Sequence, residues 1–424
     1  MSEAKQEIIE RSKSFWNPGK TQDWQDMGVD LVIDKREDYY LYDLDGRRLI
    51  DMHLNGGTYN LGHRNPELVE ALKSATTRFD MGNHHFPALA RTAFAEALSA
   101  CAPSPAMKYT AYGTSGGEAV DIAIKTARYA TQKRKIVTIV KAYHGHTTLS
   151  VKTADDRFSK NFLSEDRQGE FVQVPFNDLN AMEDALKGRD IAAVMMETIP
   201  ATYGFPMPEE GYLPAVKKLC ERYDALYIAD EVQTGLMRTG EMWCCTRYGV
   251  EPDIMVTGKG IGGGLYPLGC TLISDHCAGW LHDDGFGHIS TGGGAELGCV
   301  VAMKVLEMVQ RPEVRHTVNL IADFMRVGLE EIMAEYPDFF LGIRQHGLVM
   351  GLEFNHEQGA KPVMKHLYRS GVWAIFSTLD PRVLQFKPGL LLTQADCEEV
   401  LRRVEIGIGL ARDELMGAGR RRTM

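Results

Sequence analysis

The middle of the chain alternates short, almost uninterrupted apolar runs with stretches of helical spacing, and this alternation restricts the fold more than any other feature. "IVTIV" (Ile136 to Val140), "IAAVMMET" (Ile191 to Thr198), "ALYIAD" (Ala225 to Asp230), "PDIMVTG" (Pro252 to Gly258) and "GCTLIS" (Gly269 to Ser274) read as strands. "YLPAVKKLCERYD" (Tyr212 to Asp224) has the spacing of a helix. Strands that are apolar on both sides must be covered on both sides, which predicts a mostly parallel sheet between helical layers. In such sheets ligands sit at the carboxyl ends of the strands. Asp230 ends one apolar run and Lys259 lies just past another, so both fall at that edge.

The ends of the chain have a different texture. "YYLYDLDGRRLIDMHLN" (Tyr39 to Asn55) reads as a β-hairpin turning at Asp45-Gly46. From Arg311 onward a long helix leads to "GLVMGLEF" (Gly347 to Phe354) and a last amphipathic helix from Gln394. The expected organisation is an N-terminal segment (1–60) that joins a small domain, a large domain (61–310) and a C-terminal part of the small domain (311–424). At 424 residues, 44% hydrophobic and 25% charged, the chain has ample material for two cores. Its 47 basic and 57 acidic residues argue against a nucleic-acid binder. Eight cysteines without a C-x-x-C pair suit reduced thiols in a cytoplasm. The N-terminus has no apolar signal core, and no run of 18 apolar residues predicts a membrane span. The basic tail "GRRRT" (Gly419 to Thr423) reads as a solvated end.

Four features carry chemistry, and each has two readings on its own. Lys259, among glycines after a strand, is either a solvated loop lysine or a desolvated amine that attacks a carbonyl. Asp230, ending a buried strand, is either half of an ion pair or the acid that keeps a pyridine nitrogen protonated. Thr114-Ser115-Gly116-Gly117, before the amphipathic "EAVDIAIKTARYA", is either a plain helix cap or a phosphate cup. Tyr143, in "KAYHGHT", is either core or a plate stacked on a flat ring. A lysine, a buried acid, a phosphate cup and an aromatic plate together match the needs of pyridoxal phosphate.

With "DEVQTG" (Asp230 to Gly235) followed by "PDIMVTGKGIGGGLYPLG" (Pro252 to Gly269), the chain resembles the class III, or ω-type, pyridoxal-phosphate aminotransferases of fold type I. The resemblance runs from "NLGHRNPEL" (Asn60 to Leu68) to "LQFKPGLLLT" (Leu384 to Thr393). It implies an α/β fold with a mostly parallel seven-stranded sheet in the large domain, helices on both faces, and a smaller α+β domain. It implies pyridoxal 5'-phosphate as cofactor, with Lys259 as the Schiff-base lysine and Asp230 at the pyridinium nitrogen. Gln233 approaches the phenolic oxygen, and Val232 and Tyr143 flank the ring. Ser115, Gly116 and Gly117 cup the phosphate. Thr291 reaches the phosphate of a neighbouring subunit, which implies at least a homodimer with shared sites. Glu197 lines the substrate side. No metal, nucleic acid or membrane is expected.

The chain also departs from that family. Gln385 stands where an arginine clamps the substrate carboxylate, and a neutral amide does not replace a bidentate fork. Strand alternation puts Lys387 on the face of Gln385, as a source of point charge, and Arg382 on the other. After Thr291 the usual aromatic is Gly292, and Ala295-Glu296 replace Asn-Pro. Thr114 and Gly117 stand where Asn and Thr or Ser are usual. Thr198-Ile199 replace the Pro-[Ile/Val] that usually follows Glu197. The principal expectation is an aminotransferase acting on a small primary amine or amino acid. The alternative is a lyase or epimerase on the same cofactor, acting on a small amino-phosphate, amino-phosphonate or related amine. Its anion pocket would draw on Lys387, Arg238 or the pair His84-His85.

Overall fold

The computed structural model describes residues 1–417, so the basic tail lies outside the described residues. The chain divides into two compact units. The larger holds Gly56–Tyr59 and Pro66–His316; the smaller holds Met1–Asn55, Asn60–Asn65 and the chain from Thr317 onward. Against the boundaries expected at 60 and 310, the large unit reclaims a four-residue loop, and the second division falls inside the helix Pro312–Glu335.

The large unit is organised on a seven-stranded sheet in the order Met107–Gly113, Gly269–Ser274, Ile254–Thr257, Leu226–Asp230, Ile191–Glu197, Lys135–Ile139, Phe171–Val174. Gly269–Ser274 runs antiparallel to both neighbours, and the remaining pairs are parallel. Every residue of Ile191–Glu197, Ile254–Thr257 and Gly269–Ser274 is buried, as two-sided coverage requires. The helix Gly116–Thr131 connects the edge strand Met107–Gly113 to Lys135–Ile139 and covers the strands between. It buries Ala119, Val120, Ile122, Ala123, Ile124, Thr126 and Ala127; three of these are alanines, which let it lie close to the sheet. Ile136, Met195, Ile228, Ile254 and Val256 belong to the same core.

The small unit pairs Ile33–Glu37, Tyr40–Asp43 and Arg48–Asp51 antiparallel and adds Val372–Trp373 in parallel. Its second sheet combines Phe340–His346, Val349–Phe354, Val383–Phe386 and Ile375–Phe376. The last helix, Gln394–Met416, begins with a capping box in which Thr393 and Asp396 satisfy each other's backbone N–H groups. All eight cysteines are free, and seven are buried. Among the described residues no helix is long and apolar enough to cross a membrane.

Candidate active site

Parallel pairing brings the chemistry to one edge. Glu197 and Asp230 are the last residues of adjacent strands and lie directly opposite each other in register. Lys259 follows the next strand, Ile254–Thr257, after Gly258. The cap Ser115 and the helix start at Gly116 follow the edge strand. A cleft of about 190 Å³ opens among these ends, lined by Gly116, Gly117, Tyr143, Glu197, Val232, Gln233, Asp230 and Lys259, and also by His144, Gly145, Ile199 and Thr234.

Asp230 is held on both oxygens. Its Oδ1 accepts the Val232 N–H at 3.0 Å, and its Oδ2 lies 2.7 Å from His144 Nδ1. Both side chains of the His144–Asp230 pair are buried. Burial alone would push the His144 imidazole down, but the hydrogen bond and charge of Asp230 outweigh it and hold the ring above its ordinary range. Glu197 accepts the Tyr143 N–H on one oxygen and the Ala201 N–H on the other, each at 3.1 Å. Burial, aided by the negative charge of Asp230, pushes its carboxyl up to about 7, against the pull of His144 and these two N–H groups. Burial likewise pushes the Lys259 amine below the usual lysine range, and the carboxylates of Asp230 and Glu197 offset part of that shift. A lowered pKa makes the free, nucleophilic amine more available.

Close backbone packing shapes the rest. Gly56 has φ +74°, and a Cβ there would stand 2.8 Å from Lys259 Cε, so this glycine makes room for the lysine stem. Gly145 has φ +117°, and its missing Cβ would lie 2.7 Å from Gly117 Cα, which lets the loop after Lys135–Ile139 press against the start of the helix. Ser115 Oγ accepts the Glu118 N–H at 3.2 Å, leaving the first N–H groups of a 16-residue helix facing the cleft's end. The Tyr143 ring stands edge-on to Phe158, with centroids 5.5 Å apart. Gln233 Oε1 is buried without a hydrogen-bond partner. A carboxylate, a spare amide, a helix N-terminus and a desolvated lysine in one cleft fit the ring nitrogen, phenolic oxygen, phosphate and aldehyde of pyridoxal phosphate, respectively.

Other expected residues lie elsewhere. Thr291 is exposed and does not line the cleft. Gln385 and Lys387 belong to the small unit, where Lys387 Nζ donates to Gln385 Oε1 at 2.6 Å and both are buried. Arg382 turns away, to Asp380 and Glu353. None of Arg238, His84 or His85 lines the cleft: Arg238 is fully buried, and the two histidine rings lie against each other at 4.0 Å. Sequence reasoning passed over His144 although it stands beside Tyr143; the available signal was the need of a buried Asp230 for a partner. It also passed over Glu231, whose two oxygens accept from Thr198 Oγ1 (2.6 Å), Thr234 Oγ1 (2.8 Å) and the N–H groups of Cys244 and Cys245.

Comparison with known proteins gives the family and the fold. Residues 21–406 match the family described as aminotransferase class-III. An uncharacterized aminotransferase of Archaeoglobus fulgidus is 41% identical over 397 residues, covering 93% of this chain and 92% of its own. The putrescine aminotransferase of Pectobacterium atrosepticum is 29% identical over 428 residues, covering 96% and 89%. A transaminase from the marine bacterium Virgibacillus has the same fold, with a TM-score of 0.90 at 23% identity over 96% of this chain and 100% of its own. These relatives carry aminotransferase names, and nothing among them favours a lyase. The chain therefore belongs to the class III aminotransferase family and is a pyridoxal-phosphate-dependent aminotransferase.

Proposed function

We propose that this aminotransferase takes its amino group from a small primary amine or amino acid, with Lys259 and Asp230 as the catalytic pair. The observation that carries the reading is that Lys259, Asp230 and the helix start at Gly116-Gly117 line one cleft. Bound there, pyridoxal phosphate supplies an aldehyde for Schiff-base formation and a protonated ring that accepts electrons. Asp230 keeps the proton on the ring nitrogen, and His144 at its other oxygen keeps that carboxylate oriented. Gln233 turns its amide to the phenolic oxygen, and Val232 and Tyr143 hold the two ring faces. Ser115, Gly116 and Gly117 present the positive helix end to the phosphate. Lys259 would hold the cofactor's aldehyde carbon, and its amine, lowered by burial, is suited to take up and return a proton beside a bound amine. Glu197, with its raised pKa, faces the substrate side as a group that is readily charged or neutral.

Shared sites in a homodimer complete the reading. Thr291 is exposed in a stretch of chain that also exposes Ile289 (53%) and Phe286 (64%), apolar side chains of the kind that subunits cover. In this assembly Thr291 reaches the neighbouring subunit's phosphate. Free thiols throughout support a cytoplasmic setting.

Two experiments test the reading. Borohydride treatment of the holoenzyme should trap the cofactor on wild type and not on Lys259→Ala; a trapped adduct in the variant identifies another lysine. Holoenzyme mixed with putrescine, and with other small amines, in the absence of a keto acid should consume one equivalent of amine per site and stop. Continuous release of ammonia would overturn the aminotransferase reading in favour of elimination.

A further inference from the structure

The motif that supplies Asp230 also supplies Glu231, a carboxylate 1% exposed that does not line the cleft. A buried carboxylate persists only where its lone pairs are satisfied. Glu231 takes four donors, and they come from three separate places. Thr198 Oγ1 belongs to the residue just after Glu197, at the end of the neighbouring strand. Thr234 Oγ1 closes the turn that carries Val232 and Gln233. The N–H groups of Cys244 and Cys245 begin the short helix Cys244–Arg247, in a segment that packs against the turn through Trp243 and Gly235. Glu231 N itself donates to Val256 O at 2.9 Å, one strand further along.

The geometry makes this cluster a clamp behind the cleft. Glu197 and Asp230 are opposite partners and the final residues of their strands, where ladder hydrogen bonding ends and strand ends are free to splay. The Thr198–Glu231 bond is the side-chain tie one residue beyond that last pair. We infer that Thr198 and Glu231 are positioning residues, whose buried hydrogen bond holds Glu197 and Asp230 side by side while Thr234 fixes the turn bearing Val232 and Gln233. The inference rests on the reading that Asp230 serves the cofactor's ring nitrogen, and it adds residues that touch neither cofactor nor substrate. The Thr198 hydroxyl is the smallest removable part: valine keeps the shape and deletes the donor, whereas serine keeps the donor.

The test compares purified holoenzymes of Thr198→Val, Thr198→Ser, Asp230→Asn and wild type. Four quantities are read: cofactor content, the visible absorption band of the bound cofactor, kcat and KM separately, and the melting temperature. Thr198→Val should keep its cofactor, shift the visible band and lower kcat by about ten-fold with a smaller change in KM, the scale expected for one hydrogen bond to a charged group. Thr198→Ser should restore both band and kcat. If Thr198→Val lowers only the melting temperature while Asp230→Asn loses turnover, the clamp is merely structural and the inference is overturned. If Asp230→Asn itself leaves band and kcat unchanged, the reading of Asp230 fails and the positioning role falls with it.

Discussion

Replacing His144 by phenylalanine isolates what this histidine does for Asp230. Phenylalanine keeps a flat ring in the loop and removes Nδ1, which lies 2.7 Å from Asp230 Oδ2. Asp230 is then left with a single N–H, that of Val232 at 3.0 Å, for a carboxylate only 5% exposed. Removing one partner of a buried pair costs roughly 3–5 kcal/mol, because the remaining charge is neither solvated nor matched. The cost depends on pH, and the structure gives its sign. The His144 pKa is raised in the folded chain, with burial opposing and the hydrogen bond to Asp230 prevailing. A group raised in this way contributes stability that is fully present below its unfolded pKa, about 6.5, and is lost as pH rises through the folded value. Urea unfolding of wild type and variant, as apoprotein and as holoenzyme, from about pH 6 to about pH 9 should therefore show a stability gap that is widest at the acid end and narrows upward. A gap that is absent, or constant with pH, would refute a charged His144 paired with Asp230.

Three further substitutions probe the same buried groups and close contacts. Glu197→Gln removes a carboxyl raised to about 7 by burial. Such a group contributes stability below its unfolded pKa of about 4.3 and loses it as pH rises through about 7, so the variant should gain on wild type across that window by on the order of 3 kcal/mol in urea unfolding. Gly145→Ala forces a Cβ to within 2.7 Å of Gly117 Cα at φ +117°, and cofactor titration should show affinity falling about ten-fold or more; unchanged affinity would show that the Gly145–Gly117 contact does not shape the phosphate cup. Lys387→Met leaves the buried Gln385 carbonyl without its 2.6 Å donor and should cost about 1–3 kcal/mol in unfolding, part of which Gln385→Leu in the same chain should recover.

Much of the sheet is legible in the sequence because its central strands are apolar on both sides. "IAAVMME" and "GCTLIS" leave no other element of that length. The edges are not legible in the same way. "MKYTAYG" (Met107–Gly113) mixes buried and partly buried positions, and "FVQV" (Phe171–Val174) is too short to stand out. The two-residue strands Val372–Trp373 and Ile375–Phe376 exist only through their partners. The site follows the same logic. Asp230 and Lys259 are polar residues abruptly ending or following apolar runs, so local pattern marks them. His144 follows a strand separated from Leu226–Asp230 by Ile191–Glu197, and no spacing in the sequence tells its ring to cross that gap. Glu231 was hidden by its neighbour, since adjacent residues at a strand end face opposite ways and only one of them was expected to matter.

The departures from the family pattern become fewer once their neighbours are known. Thr114 in place of asparagine and Gly292 in place of an aromatic look like two independent changes when read along the chain. In space they are one, because a Cβ at Gly292 would stand 3.0 Å from Thr114 Cγ2 and 3.9 Å from Met81 Sδ. A branched Thr114 and a side-chain-free position 292 complement each other. Thr114 is further held by Glu118, which accepts both its N–H (2.6 Å) and its hydroxyl (2.9 Å). Thr198, in place of proline, has a donor's task at Glu231 that proline cannot perform. Gln385, in place of arginine, is an acceptor for Lys387. These four departures thus have local packing or hydrogen-bonding partners within their own units, and none of these contacts requires a different reaction. The lyase alternative rests on Gln385 and Ala295-Glu296: Gln385 is engaged by Lys387, Ala295 is buried, and the Glu296 N–H donates to Met81 O at 3.2 Å, local contacts that carry no requirement for elimination.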